Sequence, residues 1–521
     1  MLDILLRNGK VVDGTGAPWF RADVGIRGDR IAAVGALSRR KAGVVIDVRG
    51  RVVCPGFVDI HSHSDLWLLV DPRAEAKVRQ GVTTEIVGNC GFSASPVMGA
   101  ARDEMKESLE TVAPELEIDW TTTGEYFSRL ESAGMSLNCA ALVGHGTLRA
   151  GVCGTETVQA SRRQMGEMKR WLKKSLREGA LGLSTGLPYP PSSWADTDEV
   201  IDLCRAIAGK GGLYFTHMRG RRASGLFGVA EVAEIARESE IPCQIAHVHG
   251  IVEDVRRIEA ARAEGLDITF DQYPYTAGSS GLSLLLPLWV KEGGKEAMVA
   301  RLRKPETRQR LAGELRLRDP ASVLITQVRA EERKWVEGLT IARIAEKTSK
   351  APLDAICDLI VEEEDAVGMV LFGQSEKGVR EVMRHPLAMV GSDGSAYACD
   401  GPLRIGIPHP RSFGTYPRIL GHYVRDERNL SLESAVRQMT SAPAARVRLA
   451  SRGVLKTGYA ADIVVFDAET IAETGSYADP HHYPTGIDHI LVNGAFVLRH
   501  GERTDERPGR VLRRRPDGSM V

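Results

Sequence analysis

Eight short apolar runs recur through the middle of this chain, at residues 56–60, 84–87, 137–143, 181–184, 213–215, 242–246, 267–270 and 387–390. Each has the length of a buried strand, and helical stretches separate them. The clearest helix signal covers residues 162–177, where Met165, Met168, Leu172 and Leu176 fall on one face. A second covers residues 228–238, with Val229, Val232 and Ile235. Strands buried on both faces and alternating with helices form a parallel sheet, and eight of them predict an α/β fold of the (β/α)8 TIM-like barrel type. Such a barrel carries its chemistry at the C-terminal ends of the strands, so the residues after each run are where function is sought.

The rhythm changes at both ends. Residues 4–6, 10–12, 23–26 and 31–34 alternate between the turn signals Asp13-Gly14, Gly28-Asp29 and Gly35. ADIVVFD and ILVNGAFVLRHGE near the other end follow the same grammar, with a hairpin signal at Asn493-Gly494. These segments predict a small β-sandwich built from both chain ends, residues 1–54 with 448–521. The barrel then occupies 55–281 and 371–447. Residues 282–370 are too many and too charged for one crossover, and are expected to form an inserted subdomain or lid between strands 7 and 8.

Composition narrows the function classes. With 68 Lys+Arg against 68 Asp+Glu, nothing in the charge calls for nucleic acid or an anionic membrane as partner. There is no run of about 20 apolar residues, and Arg7 and Asn8 interrupt the N-terminus before a signal sequence can form. The eight cysteines make no CxxC pair. A cytoplasmic protein with reduced thiols is expected. The basic run at 510–515 reads as a solvated tail.

The strand ends are rich in metal-binding chemistry. His61 and His63 close strand 1, Cys90 follows strand 2, and His145 follows strand 3. His217 closes strand 5, His247 strand 6 and Asp393 strand 8. Two histidines two residues apart project to the same side of a strand and can grip one ion, with Asp65 placed to orient an imidazole. A lone buried histidine or cysteine is ordinarily core, and Cys139, Cys204, Cys243 and Cys357 are read that way. Several such residues on one rim reverse that expectation. Asp393 then has the place of a general acid/base beside the metal.

PGFVDIHSHSD, the late SDG and the split terminal sandwich resemble the amidohydrolase superfamily. GNCG, GLSTGLPYPP, FTHMR, AHVHG, YPYTAGS, GSDG and PHPRSFGTYPRILGHY together resemble its D-aminoacylase (N-acyl-D-amino-acid deacylase) family, over nearly the whole chain. The resemblance implies zinc-dependent hydrolysis of the amide bond of N-acyl-D-amino acids. It implies a tight Zn2+ site at Cys90, His217 and His247, a second, weaker or optional one at His61 and His63, and Asp393 as the acid/base. Arg411 would bind the substrate carboxylate, helped by Tyr273 and Ser279, with Tyr275 and Ser280 as alternatives. Tyr189 is a further contact, and His145 is given a supporting or structural role. The partner is a small N-acyl amino acid, and homo-oligomers remain open.

Two departures from the pattern matter. Strand 4 reads ALGLSTGL and lacks the lysine that bridges two metals in many amidohydrolases, which disfavours hydantoinase or dihydroorotase chemistry; a dipeptidase and a silent metal-binding barrel are the other rivals. Relatives often carry a lysine two residues after the last histidine ligand, where this chain has His249. A histidine there favours acidic ligands only when protonated, so neutral or hydrophobic side chains are expected. The stretch between Asp393 and Arg411 is also long, which leaves Arg404 as the alternative carboxylate anchor.

Overall fold

The computed structural model describes residues 1–110, 112–156, 159–220, 228–315 and 319–521. Its centre is a parallel barrel with strands β1 (Phe57–Asp59), β2 (Val82–Val87), β3 (Asn138–Ala141, resuming at Val143–Gly144), β4 (Gly182–Gly186), β5 (Leu213–His217), β6 (Cys243–Ile245), β7 (Ile268–Gln272) and β8 (Ala388–Val390). Neighbours pair in sequence order from β1 to β8. β3 breaks because its first half pairs with β2 and its second with β4. The ring closes just past the strand ends, where the Asp393 amide donates to the His61 carbonyl (2.8 Å) and the His63 amide to that of Gly394 (3.0 Å). The functional motifs are thus themselves the seam of the barrel.

Helices cover the outside for the reason their patterning indicates. In Arg162–Glu178, Met168, Leu172 and Leu176 are buried, Ser161 and Gln164 form a reciprocal N-terminal cap, and Gly179 ends the helix at φ +116°. Inside the barrel, Val58, Ile60, Ile86, Leu142, Phe215 and Met389 cluster with two residues from the far end of the chain, Leu512 and Met520. The C-terminal run is therefore not the solvated tail its arginines suggest. Val511 bridges to Cys139, and Leu512 and Met520 plug the barrel core, each burial stabilising by roughly 2 kcal/mol.

The two chain ends share one nine-stranded sheet. Val52–Pro55 lies between Leu2–Val11 on one side and Ile463–Phe466 on the other, the latter antiparallel with Cys54 opposite Val464. Ile487–Val492 and Ala495–Arg499 extend it. Ile4, Leu6, Val24, Val465 and Leu491 form its core, and Arg51 clamps both ends through Asp467 (2.9 Å) and Asp488 (2.5 Å).

Between β7 and β8 the chain builds a separate unit. Ala277–Gly281, Gly368–Phe372 and Val323–Gln327 form a three-stranded antiparallel sheet, backed by helices around a core that includes Leu282, Ile325, Ile356 and Met369. The outer strand Ala277–Gly281 lies before the interval 282–370 and the central strand Gly368–Phe372 runs past its end, because AGSSG reads as loop although it pairs as strand. Among the described residues, no helix is long and apolar enough to cross a membrane.

Candidate metal centre and active site

At the C-terminal rim the polar side chains converge. His61 Nε2 lies 3.2 Å from Cys90 Sγ and 3.3 Å from Asp393 Oδ1. His63 Nε2 is 2.9 Å from the same Asp393 oxygen. His247 Nε2 stands 3.8 Å from Cys90 Sγ and 3.9 Å from Asp393 Oδ2, and His217 Nδ1 is 3.9 Å from Cys90 Sγ. One donor atom from each of His61, Cys90, His247 and Asp393 lies within 4.8 Å of all the others. Cys90 is the junction, touching imidazoles from both the strand-1 pair and the strand-5 and strand-6 histidines.

These residues suit a metal ion. Two groups that ionise to anions, Cys90 and Asp393, face the same buried point as the imidazoles of His61 and His247, and His247 Nδ1 has no hydrogen-bond partner. Burial opposes ionisation of the Cys90 thiol, but the charge of His61 and hydrogen bonds to His217, His247 and His61 hold its pKa well below the ordinary thiol range. Burial likewise opposes the Asp393 carboxylate, and Arg411, His61 and His247 outweigh it, keeping that group well below its usual value. For His63, burial works against charging, yet the bond to Asp393 raises it to about 9. A thiolate, imidazoles and a carboxylate are the donor types of zinc.

The backbone is bent to present them. Cys90 has φ +52°, His247 +30°, His249 +55° and Asp393 +51°, a left-handed region that costs non-glycine residues about 1–3 kcal/mol each. Gly88 has no alternative at φ +78°, since a Cβ there would lie 2.3 Å from the Leu142 carbonyl oxygen. On β4, where a lysine is absent, Ser184 instead braces the Cys90 loop: its hydroxyl donates to the Gly88 carbonyl and accepts from the Gly91 amide (3.1 Å).

A buried polar layer lies beneath. Asp271, on β7, meets His61 Nδ1 at 3.1 Å and takes the His247 amide at 2.9 Å. It is therefore Asp271, not Asp65, that orients the imidazole; Asp65 accepts instead from the Ala94 amide. Lys77, fully buried, donates to Asp59 (2.8 Å), Ser392 (2.7 Å) and the Gly394 carbonyl (2.9 Å), gripping both sides of Asp393. Lys77→Met leaves the Asp59 charge unpaired, and is expected to cost about 3–5 kcal/mol of stability, read as a lower urea midpoint. A change below about 1 kcal/mol would show that water replaces the ammonium.

Above the centre opens a cavity of ≈ 930 Å³, walled by the barrel rim and the inserted unit. His63, Tyr189, Tyr273, Ser279, His249 and Arg411 all line it. Arg411 Nη1 sits 2.7 Å from Asp393 Oδ2 and forms an ion pair with it. The guanidinium lies 5.0 Å above the Tyr273 ring. His409 fixes its position, accepting the Arg411 amide at Nδ1 (3.0 Å) with Nε2 on the Ala277 carbonyl (3.0 Å). Tyr189 Oη is 3.4 Å from His217. His249 Nδ1 receives Gln374 Nε2 at 2.8 Å and meets Tyr273 Oη at 2.9 Å.

Other candidates fall elsewhere. Arg404 is exposed and turns back to the Cys399 carbonyl. Tyr275 donates to Glu473 (2.6 Å), away from the cavity lining, whereas Ser280 lines it beside Ser279. His145 is fully buried between Glu199 (2.8 Å) and Ser192 (3.0 Å). Asp271, Gln374, His409 and Lys77 were not singled out by the motifs. Their signal was weak: one aspartate at the end of an apolar run, and one histidine two residues before Arg411.

Comparison with known proteins gives the chain's relatives. The sequence model described as the amidohydrolase family matches residues 44–498. D-aminoacylase of Alcaligenes xylosoxydans xylosoxydans is 35% identical, over 98% of each chain. The crystal structure of N-acyl-D-glutamate deacylase from Bordetella bronchiseptica, complexed with zinc and a phosphonate mimic of the reaction's tetrahedral intermediate, superposes with TM-score 0.83 at 32% identity, over 98% of this chain and 99% of that one. A D-aminoacylase structure described in terms of a binuclear metal centre, with one-metal activation and second-metal attenuation, matches with TM-score 0.81 at 35% identity, over 99% and 100%.

Proposed function

This chain belongs to the amidohydrolase family, and from that premise we propose that it is a zinc-dependent N-acyl-D-amino-acid deacylase, releasing a carboxylate and a free D-amino acid. The observation that carries this reading is Arg411, which lines the cavity beside Asp393. A guanidinium fork matches a free α-carboxylate, and the carboxylate so held places the neighbouring amide next to the metal-binding cluster. Cyclic amides present no such carboxylate at that distance.

Cys90, His217 and His247 would hold the principal zinc, with His61 and His63 at a second, weaker or optional position. Bound zinc supplies Lewis acidity, polarising the scissile carbonyl and acidifying a water molecule. Asp393 accepts the proton of the attacking water and delivers it to the departing nitrogen. His63, 2.9 Å away, holds the carboxylate in place for both transfers. Tyr273 and Ser279 complete the carboxylate pocket with Arg411, and Tyr189 covers the side of His217. D-stereochemistry comes to this chain through its relatives.

His249 shapes the side-chain preference. Its Nδ1 meets Gln374 Nε2, and burial beside His247 and His217 holds the ring well below the ordinary imidazole range, which keeps it neutral. No fixed positive charge stands there to attract a D-Glu or D-Asp side chain, and neutral side chains are favoured.

The deciding experiment is amine release by zinc-loaded protein from matched N-acetyl-D- and N-acetyl-L-amino acids, including Met, Leu, Phe and Glu. Cleavage confined to the D series, with Met, Leu and Phe ahead of Glu, is expected; cleavage of neither series would sink the reading. Arg411→Lys keeps a charge but loses the fork, and is expected to raise KM about 10–100-fold. Equal KM in that variant would move the carboxylate anchor elsewhere.

A further inference from the structure

The cavity does not end at the carboxylate pocket. It runs on into the inserted unit, between the apolar side chains of Leu284, Leu285, Met298 and Leu371. At that far wall stands Lys291, 7% exposed and facing the cavity. No residue among those described gives its ammonium a hydrogen bond or ion pair. Asp365 lines the same wall, and its Oδ1 is buried without a partner. The Ser283 hydroxyl serves Asp365, and Lys295 is neutralised by Glu107 at 2.6 Å. The lobe therefore holds one unused strong donor and one unused acceptor within apolar walls.

Buried polar groups left unpaired are costly, and a ligand that satisfies them gains accordingly. Asp365 offsets the Lys291 charge and the exposed Glu104 carboxylate lies on the same lining, so the lobe has no reason to select an anion. A carboxylate would suit Lys291 but face Asp365, and an ammonium would meet the reverse. A neutral group with a carbonyl and an N–H suits both. We propose that Lys291 and Asp365 form a remote subsite for a second amide group on the substrate, the carbonyl accepting from Lys291 and the N–H donating to Asp365. Burial draws the lysine pKa down to about 8, and the nearby Asp365 charge offsets this only in part. The subsite rests on the deacylase reading for its substrate. The second amide has two possible sources, an acyl half that is itself an N-acylaminoacyl unit, or a side-chain carboxamide.

Two substrate pairs separate the sources: N-acetylglycyl-D-leucine against N-pentanoyl-D-leucine, and N-acetyl-D-glutamine against N-acetyl-D-norleucine. In zinc-loaded wild type, the amide-bearing member of one pair is expected to lead in kcat/KM by about tenfold or more, and that pair names the source. Lys291→Met and the near-isosteric Asp365→Asn should each reduce the ratio about tenfold. Titration calorimetry on the zinc-loaded Asp393→Asn protein should give the same ratios as Kd values. Ratios unchanged in both variants, or no preference in either pair, would overturn the subsite. If N-acetyl-D-leucine is not cleaved at all, the deacylase reading fails, and the Kd ratios still decide the subsite.

Discussion

Asp393→Asn is expected to lower kcat by about 10²–10⁴-fold while zinc content, measured by atomic absorption, stays at the wild-type level. Asparagine fills the same volume and keeps the backbone bond from residue 393 to the His61 carbonyl, so the seam of the barrel is preserved. What is lost is a group that can take a proton from water and return it to nitrogen. Arg411 and His63 both lose their anionic partner, so KM is expected to change less than kcat but not to be silent. One outcome would overturn the assignment: zinc lost together with activity. Asp393 Oδ1 and Oδ2 lie within reach of His61, His63 and His247, and that result would make the carboxylate a ligand rather than the acid/base.

Cys90→Ala is expected to remove metal and activity together. The thiolate touches imidazoles from three barrel strands, whereas Asp393, the other anion of the cluster, is recorded within 4 Å of His247 but not of His217. Loss of partners that only orient a ligand already weakens metal binding about 10–100-fold, so loss of a ligand itself should exceed that. Dialysis against a graded chelator series, with zinc counted at each step, reads the change. A cysteine nucleophile makes the opposite forecast. Alkylation would inactivate while chelators would not, and Cys90→Ala would keep its zinc. Full activity with zinc retained would exclude Cys90 from the site altogether.

Much of the barrel can be read from sequence because its strands are buried on both faces: VTTEIV and LYFTH are apolar or β-branched runs interrupted only by Glu85 and by His217 at the strand end. The residues that end those strands stand out for the same reason, as ionisable groups that break an apolar pattern. Legibility fails where partners meet from far apart. Gln374 reaches His249 across 125 residues, and Lys77 reaches Gly394 across 317; neither has a local signal. Ala277–Gly281 fails differently, because glycine and serine favour turns and only the tertiary partner Gly368–Phe372 makes them a strand. The tail from 510 was misread because its arginines mask Leu512 and Met520, two apolar residues spaced too widely to show a pattern.

Those two side chains have a consequence for how the protein is made. The floor of the barrel includes atoms from residues 512 and 520, and Val52–Pro55 waits for Ile463–Phe466 to pair its free edge. A ribosome delivers the chain from its N-terminus, so the barrel staves emerge before their floor exists. Until residue 520 has been synthesised, Ile60, Ile86 and Phe215 face an open hole rather than a packed core. Assembly of the last stretch is thus the step at which nascent chains are most exposed to aggregation, and truncations of a few C-terminal residues should deplete soluble yield well before they touch the rim where chemistry occurs.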